Sequence, residues 1–92
     1  MLRLAYSPAF LRDVRRLKRK HYDLTKMDTA LDALLTQDSD LLTTRYRDHA
    51  LKGNLKGFRE LHIEGDWLLV YEVTKTALTL TLIRTGSHDT VL

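Results

Sequence analysis

A chain of 92 residues is long enough to bury one hydrophobic core and too short for two, so residues 1–92 are expected to form a single domain with its chemistry on the surface of that core. With 43% hydrophobic and 29% charged residues, four Gly, one Pro and no Cys, the composition excludes disordered and fibrous chains, disulfide staples and thiolate zinc sites, and it suits the cytoplasm. The net charge of +3 is modest, no apolar run approaches a membrane span, and no signal-peptide core follows Met1, so neither membrane insertion nor export is expected.

Leu2 to Tyr6 alternates apolar with polar or small side chains, the pattern of a short half-buried strand. Ser7-Pro8 ends it. Serine caps helix N-termini and proline is favoured at the first helical position, which predicts a helix to about Lys20 with Phe10, Leu11, Val14 and Leu17 on its inner face. Most of its other positions are basic, and from Met1 to Lys26 eight basic residues stand against Asp13 and Asp23. Thr25 is placed to cap a second helix in which Met27, Ala30, Leu31, Leu34 and Leu35 recur at helical spacing. Here the sign reverses, with Asp28, Asp32, Asp38 and Asp40 and no base before Arg45. Segregation of this kind builds a basic face that attracts phosphate backbones or an acidic protein, or else a plainly solvated exterior.

Gln37 to Gly57 has no strong periodicity. It is basic again from Arg45, with turn chemistry at Asp38-Ser39-Asp40 and Gly53-Asn54. Phe58–Ile63, Trp67–Val73 and Ala77–Arg84 are rich in aromatic and β-branched residues and read as three strands joined by short hairpins. The order of one N-terminal strand, two helices and a three-stranded antiparallel meander predicts an α+β fold, with both helices packed on one face of the sheet.

Four histidines punctuate this short chain. His49 lies in the basic connection, His62 ends a strand and His88 follows the last strand, positions from which side chains of distant segments converge at one sheet edge. His21, at the end of the basic helix, reads as structural or solvent-facing. Asp66 and His62 flank a tight turn and can form a carboxylate–imidazole pair suited to acid–base work near neutral pH. The plainer readings are a turn-forming Asp66 and a core Trp67. No HExxH or comparable spacing supports a metal site, and no Gly-rich phosphate loop or nucleophile turn is present. An RNA-binding module without catalysis, using Phe58, Trp67 and Tyr71 on a sheet face, stays open, as does a purely structural protein whose basic helix docks a partner.

The segment from Tyr46-Arg47-Asp48-His49 through Leu51-Lys52-Gly53, Phe58-Arg59 and His62-Ile63-Glu64-Gly65-Asp66-Trp67 to Tyr71 resembles the central signature of YafQ-type toxins, a branch of the RelE/ParE superfamily. Arg84-Thr85-Gly86-Ser87-His88 resembles that family's closing motif. The resemblance implies a RelE-like fold and the toxin of a type II toxin–antitoxin system. It further implies a ribosome-dependent endoribonuclease, an mRNA interferase, held inactive by a cognate antitoxin in a heteromeric complex. His49, His62, Asp66 and His88 match the family's active-site positions. Leu92 stands where the family often places an aromatic residue, four after the last histidine.

Cutting RNA through attack of the ribose 2′-OH needs a base, an acid for the leaving 5′-oxygen and cations on the phosphate. His88 is the candidate acid, and Asp66, with His62 or His49, the candidate base. Lys52, Lys56, Arg59 and Arg84 are candidates for binding phosphate. No cofactor and no metal is expected in this chemistry.

Overall fold

A computed structural model describes residues 2–92. The alternating start forms β1 (Arg3–Tyr6), and Ser7 ends it: its hydroxyl accepts the Phe10 N–H at 3.0 Å and donates to the Ile83 carbonyl at 2.6 Å. One side chain thus caps α1 (Pro8–Arg19) and ties it to the sheet. The inward stripe of α1 is Phe10, Asp13, Val14 and Leu17, at i, i+3, i+4 and i+7. Leu11, expected inside, is 44% exposed, because it sits about 100° around the helix from Phe10 and off that stripe.

Asp13 takes the inward place that a hydrophobe normally fills. It survives there because every side is paired. Arg84 donates to it at 2.7 and 3.1 Å, Arg16 at 2.6 Å and the Thr85 N–H at 3.1 Å.

α2 (Leu24–Leu35) is capped by Asp23 rather than Thr25, since the Asp23 carboxylate accepts the Thr25 N–H at 3.1 Å, and the helix therefore starts earlier than expected. The aperiodic connection holds α3 (Ser39–Thr44), capped by Asp38, a two-residue strand β2 (His49–Ala50) and a 3-10 turn at Gly53–Leu55. The meander is β3 (Arg59–Glu64), β4 (Trp67–Thr74) and β5 (Thr79–Gly86), and α4 (His88–Val91) follows it.

The sheet order is β1-β5-β4-β3-β2. β1 runs parallel to β5 and the other pairs are antiparallel, so the α+β class holds with five strands in a mixed sheet where four were expected. Period-two alternation divides β4 between faces. Trp67, Leu69 and Tyr71 join Leu61, Leu80 and Leu82 against Phe10, Leu17, Met27, Ala30 and Leu34, so α1 and α2 cover one face as predicted. Leu68 and Val70 point the other way and meet Val91 of α4.

Candidate functional site

The same alternation sorts β3. Leu61 and Ile63 enter the helix-side core, so Glu60 and His62 share the opposite face. β2 pairs with β3 in the register His49↔Glu60, which sets the two side chains next to each other. Two backbone bonds hold this edge, from the Asp48 N–H to the Leu42 carbonyl at 2.9 Å and from the His62 N–H to the Tyr46 carbonyl at 2.7 Å. Between them Arg47 adopts a left-handed φ of 51°, and its carbonyl lies 2.8 Å from His49 Nδ1. A carbonyl only accepts, so Nδ1 carries the proton and the neutral ring keeps its lone pair on Nε2.

That nitrogen faces Glu60 Oε1 at 3.5 Å, and His62 Nε2 faces the same oxygen at 3.7 Å. The ring centroids of His49 and His62 are 6.1 Å apart. The Glu60 side chain is 5% exposed against 49% for His49, so a buried carboxylate sits beneath an imidazole that opens to solvent. Glu60 Oε2 and His62 Nδ1 are buried with no hydrogen-bond partner. A carboxylate flanked by two imidazoles can take up, share and release a proton as a coupled unit.

A second group forms where the chain ends. Gly65-Asp66 turns β3 into β4, with Gly65 at φ 49°, and Gly86 at φ 149° turns β5 into α4. Asp66 Oδ1 accepts the backbone N–H of His88 at 3.1 Å, and Val91 packs on Leu68 and Val70, so the tail bearing His88 is pinned to the hairpin from two sides.

Residues 2–92 match the family model described as the bacterial toxin of type II toxin–antitoxin systems, YafQ. The chain belongs to the YafQ family. It is similar to the mRNA interferase toxin YafQ of Escherichia coli K12, at 35% identity over 85 residues that span 92% of this chain and 89% of that protein. Its structure is similar to that of a metal-bound toxin from Helicobacter pylori, with TM-score 0.89, 39% identity and full coverage of both chains. It is also similar to the toxin in the DinJ–YafQ complex of Escherichia coli, with TM-score 0.86, 32% identity and coverage of 100% of this chain and 99% of that one.

Of the four candidate acid–base residues that the YafQ resemblance suggested, the structure brings His49 and His62 together and joins Asp66 to the backbone of His88. The expected His62–Asp66 pair is not formed. His62 turns to Glu60, two residues back on its own face of β3, and Asp66 spends an oxygen on the tail. Glu60 was missed, although its spacing of two from His62 within an alternating strand was the available signal.

The basic candidates divide. Lys52 and Lys56 are exposed on either side of the Gly53–Leu55 turn. Arg59 instead holds Asp48 at 2.9 Å, with the Tyr71 hydroxyl on the same carboxylate, and Arg84 holds buried Asp13, so both are already committed to internal partners. Trp67 cannot stack on a base. It is 4% exposed, donates its indole N–H to Thr85 Oγ1 at 2.9 Å and meets the Tyr22 ring edge-on. Leu92 is exposed beyond α4. The histidines that looked too scattered in sequence for a metal do converge in part, because the donor atoms of His49, Glu60 and His62 lie within 4.8 Å of one another.

Proposed function

We propose that this YafQ-family chain is an mRNA interferase, a cytoplasmic endoribonuclease built as a single domain over residues 1–92, which cuts messenger RNA on the ribosome and is silenced by an antitoxin. The observation that carries the reading is the buried Glu60 carboxylate between His49 and His62, on the sheet face that α1 and α2 leave free. The similarity to an Escherichia coli protein named for the same activity supports it. No helix among the described residues is long and apolar enough to cross a membrane.

In the proposed reaction the Glu60–His49–His62 unit removes the ribose 2′ proton. This moves the base from Asp66, whose oxygen is already engaged by the tail, to a carboxylate with a free lone pair and two imidazole neighbours. The 2′-oxygen bonds to phosphorus, the bond from phosphorus to the 5′-oxygen breaks, and His88 gives that oxygen its proton. The products are a 2′,3′-cyclic phosphate and a 5′-hydroxyl. Lys52 and Lys56 neutralise the phosphate as charge develops on it. Protein groups supply every proton transfer, so cleavage survives chelation of free metal when ribosome integrity is controlled separately.

An acidic or mixed-charge antitoxin covers the basic surface and the histidine face in this reading. One of the similar solved toxins is a partner in a DinJ–YafQ complex. Induced expression without the antitoxin tests the whole reading. Growth should stop, and translated messages should be cut to fragments ending in 2′,3′-cyclic phosphate. Growth arrest with intact messages would favour a non-catalytic ribosome- or RNA-binding module, and high yield with normal translation would overturn the toxin assignment for this chain.

A further inference from the structure

We propose that the cleft between α1 and the end of β5 is an oligophosphate site, which takes a short chain of phosphate groups, inorganic or at the end of a nucleotide, and recognises the phosphates alone. The site is independent of the reaction proposed above, because α1 packs on the opposite face of the sheet from Glu60 and His62.

The cleft encloses about 380 Å3 and is lined by Arg12, Arg15, Arg16, Arg19 and Arg84, with Asp13 the only acid among them. Positions 12, 15, 16 and 19 stand at i, i+3, i+4 and i+7, so four guanidinium groups share one stripe along about 10 Å of helix. Like charges at those spacings repel and weaken the helix. The helix dipole accounts for Arg16 and Arg19 in the last turn, but not for Arg12 and Arg15. Among the described residues no carboxylate pairs with Arg12, Arg15 or Arg19, and all three are exposed.

Two of the cations are held in advance. Asp13 Oδ1 accepts from Arg16 at 2.6 Å and Oδ2 from Arg84 at 2.7 Å, and Arg84 Nη2 also donates to the Thr90 carbonyl at 3.3 Å. A guanidinium carries five N–H donors, so these bonds fix both side chains and still leave donors for a ligand.

Charge and lining decide what that ligand is. Five guanidinium charges against one carboxylate leave a surplus of four. A phosphate group carries about 1.5–2 negative charges near neutral pH, so two of them match that surplus. The planar guanidinium also binds phosphate oxygens through paired, parallel hydrogen bonds. Sites for single-stranded RNA combine such charge with aromatic side chains on which bases stack. Among the described residues no aromatic side chain lines this cleft, and its size is that of a small-molecule pocket. A compact phosphate chain therefore fits it better than an RNA strand.

Calorimetric titration of the whole toxin with sodium tripolyphosphate tests the site. One tripolyphosphate should bind per chain, and orthophosphate, which meets fewer guanidinium groups, should bind more weakly by roughly ten-fold or more. Arg12→Gln, Arg15→Gln and Arg19→Gln remove no ion pair of the fold, and each should weaken binding about ten-fold or more, the factor that corresponds to one charge-assisted hydrogen bond. Lys75→Gln removes the same charge from the exposed turn between β4 and β5 and should bind as the parent does. In the nitrogen–proton NMR spectrum the Nε–H resonances of the five cleft arginines should shift on binding, while the imidazole resonances of His49 and His62 stay in place. Adenosine triphosphate should bind no more tightly than tripolyphosphate. Equal losses in Lys75→Gln and Arg15→Gln would reduce the binding to net charge, and absence of binding by the folded parent at physiological ionic strength would overturn the site outright. A clear preference for adenosine triphosphate would overturn recognition of the phosphates alone. Tighter binding of a 2′-O-methyl RNA of equal charge at the same arginines would give the cleft to an RNA backbone instead.

Discussion

His21 and Tyr71 show how individual side chains of this toxin divide between stability and chemistry. His21 ends α1 in the left-handed region at φ 63°, where its N–H reaches the Lys18 carbonyl and the Tyr22 N–H reaches the Leu17 carbonyl, both at 3.1 Å. Backbone closure needs no imidazole there, and a left-handed non-glycine residue costs roughly 1–2 kcal/mol. His21→Gly should therefore raise stability in urea unfolding by up to about 1 kcal/mol, after allowance for the greater freedom of glycine in the unfolded chain, and leave RNA cleavage unchanged. Tyr71 behaves differently because burial, and then its bond to Asp48, raise the phenol's pKa above the ordinary value of 10.0. The folded state keeps the neutral phenol, so its contribution is complete below pH 10 and is lost as the pH climbs toward the raised value. Thermal melts of Tyr71→Phe should lose that alkaline component while keeping the acid side of the profile. At this scale His49, His62, Asp66 and His88 were singled out from their types and the family's spacing; the structure sets His49 and His62 on either side of Glu60 and joins Asp66 to the backbone of His88. Glu60 was not singled out, because what distinguishes it is burial beside two histidines, one of which arrives from another strand.

Among the elements, α1 and β2 carry the longest arguments. The face of α1 toward the sheet is closed by Asp13, whose carboxylate binds Arg84 and the Thr85 N–H of β5. Removing a buried partner typically costs 3–5 kcal/mol, and since Arg84 and Arg16 keep access to water the lower end applies. Asp13→Ala should lower stability by about 3 kcal/mol, seen as a reduced urea midpoint with an unchanged slope. The two helices, the meander and the packing of both helices on one face followed from periodicity and capping. α3 and β2 did not. β2 has two residues and exists through its pairing with β3 and the left-handed turn at Arg47, which are tertiary facts that no short window of sequence contains. Thr25 and Leu11 were misplaced for a smaller reason: Asp23 competes as a cap, and Asp13 claims the inward stripe that Leu11 was expected to share.

For the molecule as a whole, charge and geometry act together. Exposed Arg12, Arg15, Lys18 and Arg19 of α1 and Lys20 at its C-cap form one basic stretch, and Lys52 and Lys56 are exposed on either side of the Gly53–Leu55 turn. A surface of this sign steers phosphate backbones and an acidic antitoxin alike, so association with its antitoxin should slow roughly ten-fold or more between low and physiological ionic strength, measured by stopped-flow. A rate indifferent to salt would place the antitoxin on another surface. The central claim is that this fold cleaves RNA with protein acid–base groups, the Glu60–His49–His62 unit on β2 and β3 as base and His88 at the start of α4 as acid. Single-turnover cleavage of ribosome-bound message by His88→Ala, with the melting temperature recorded in parallel, tests it most directly. A general acid contributes about 100- to 10,000-fold, so the account predicts a rate lower by that order with the melt unchanged. Cleavage by His88→Ala at the parent rate would contradict it.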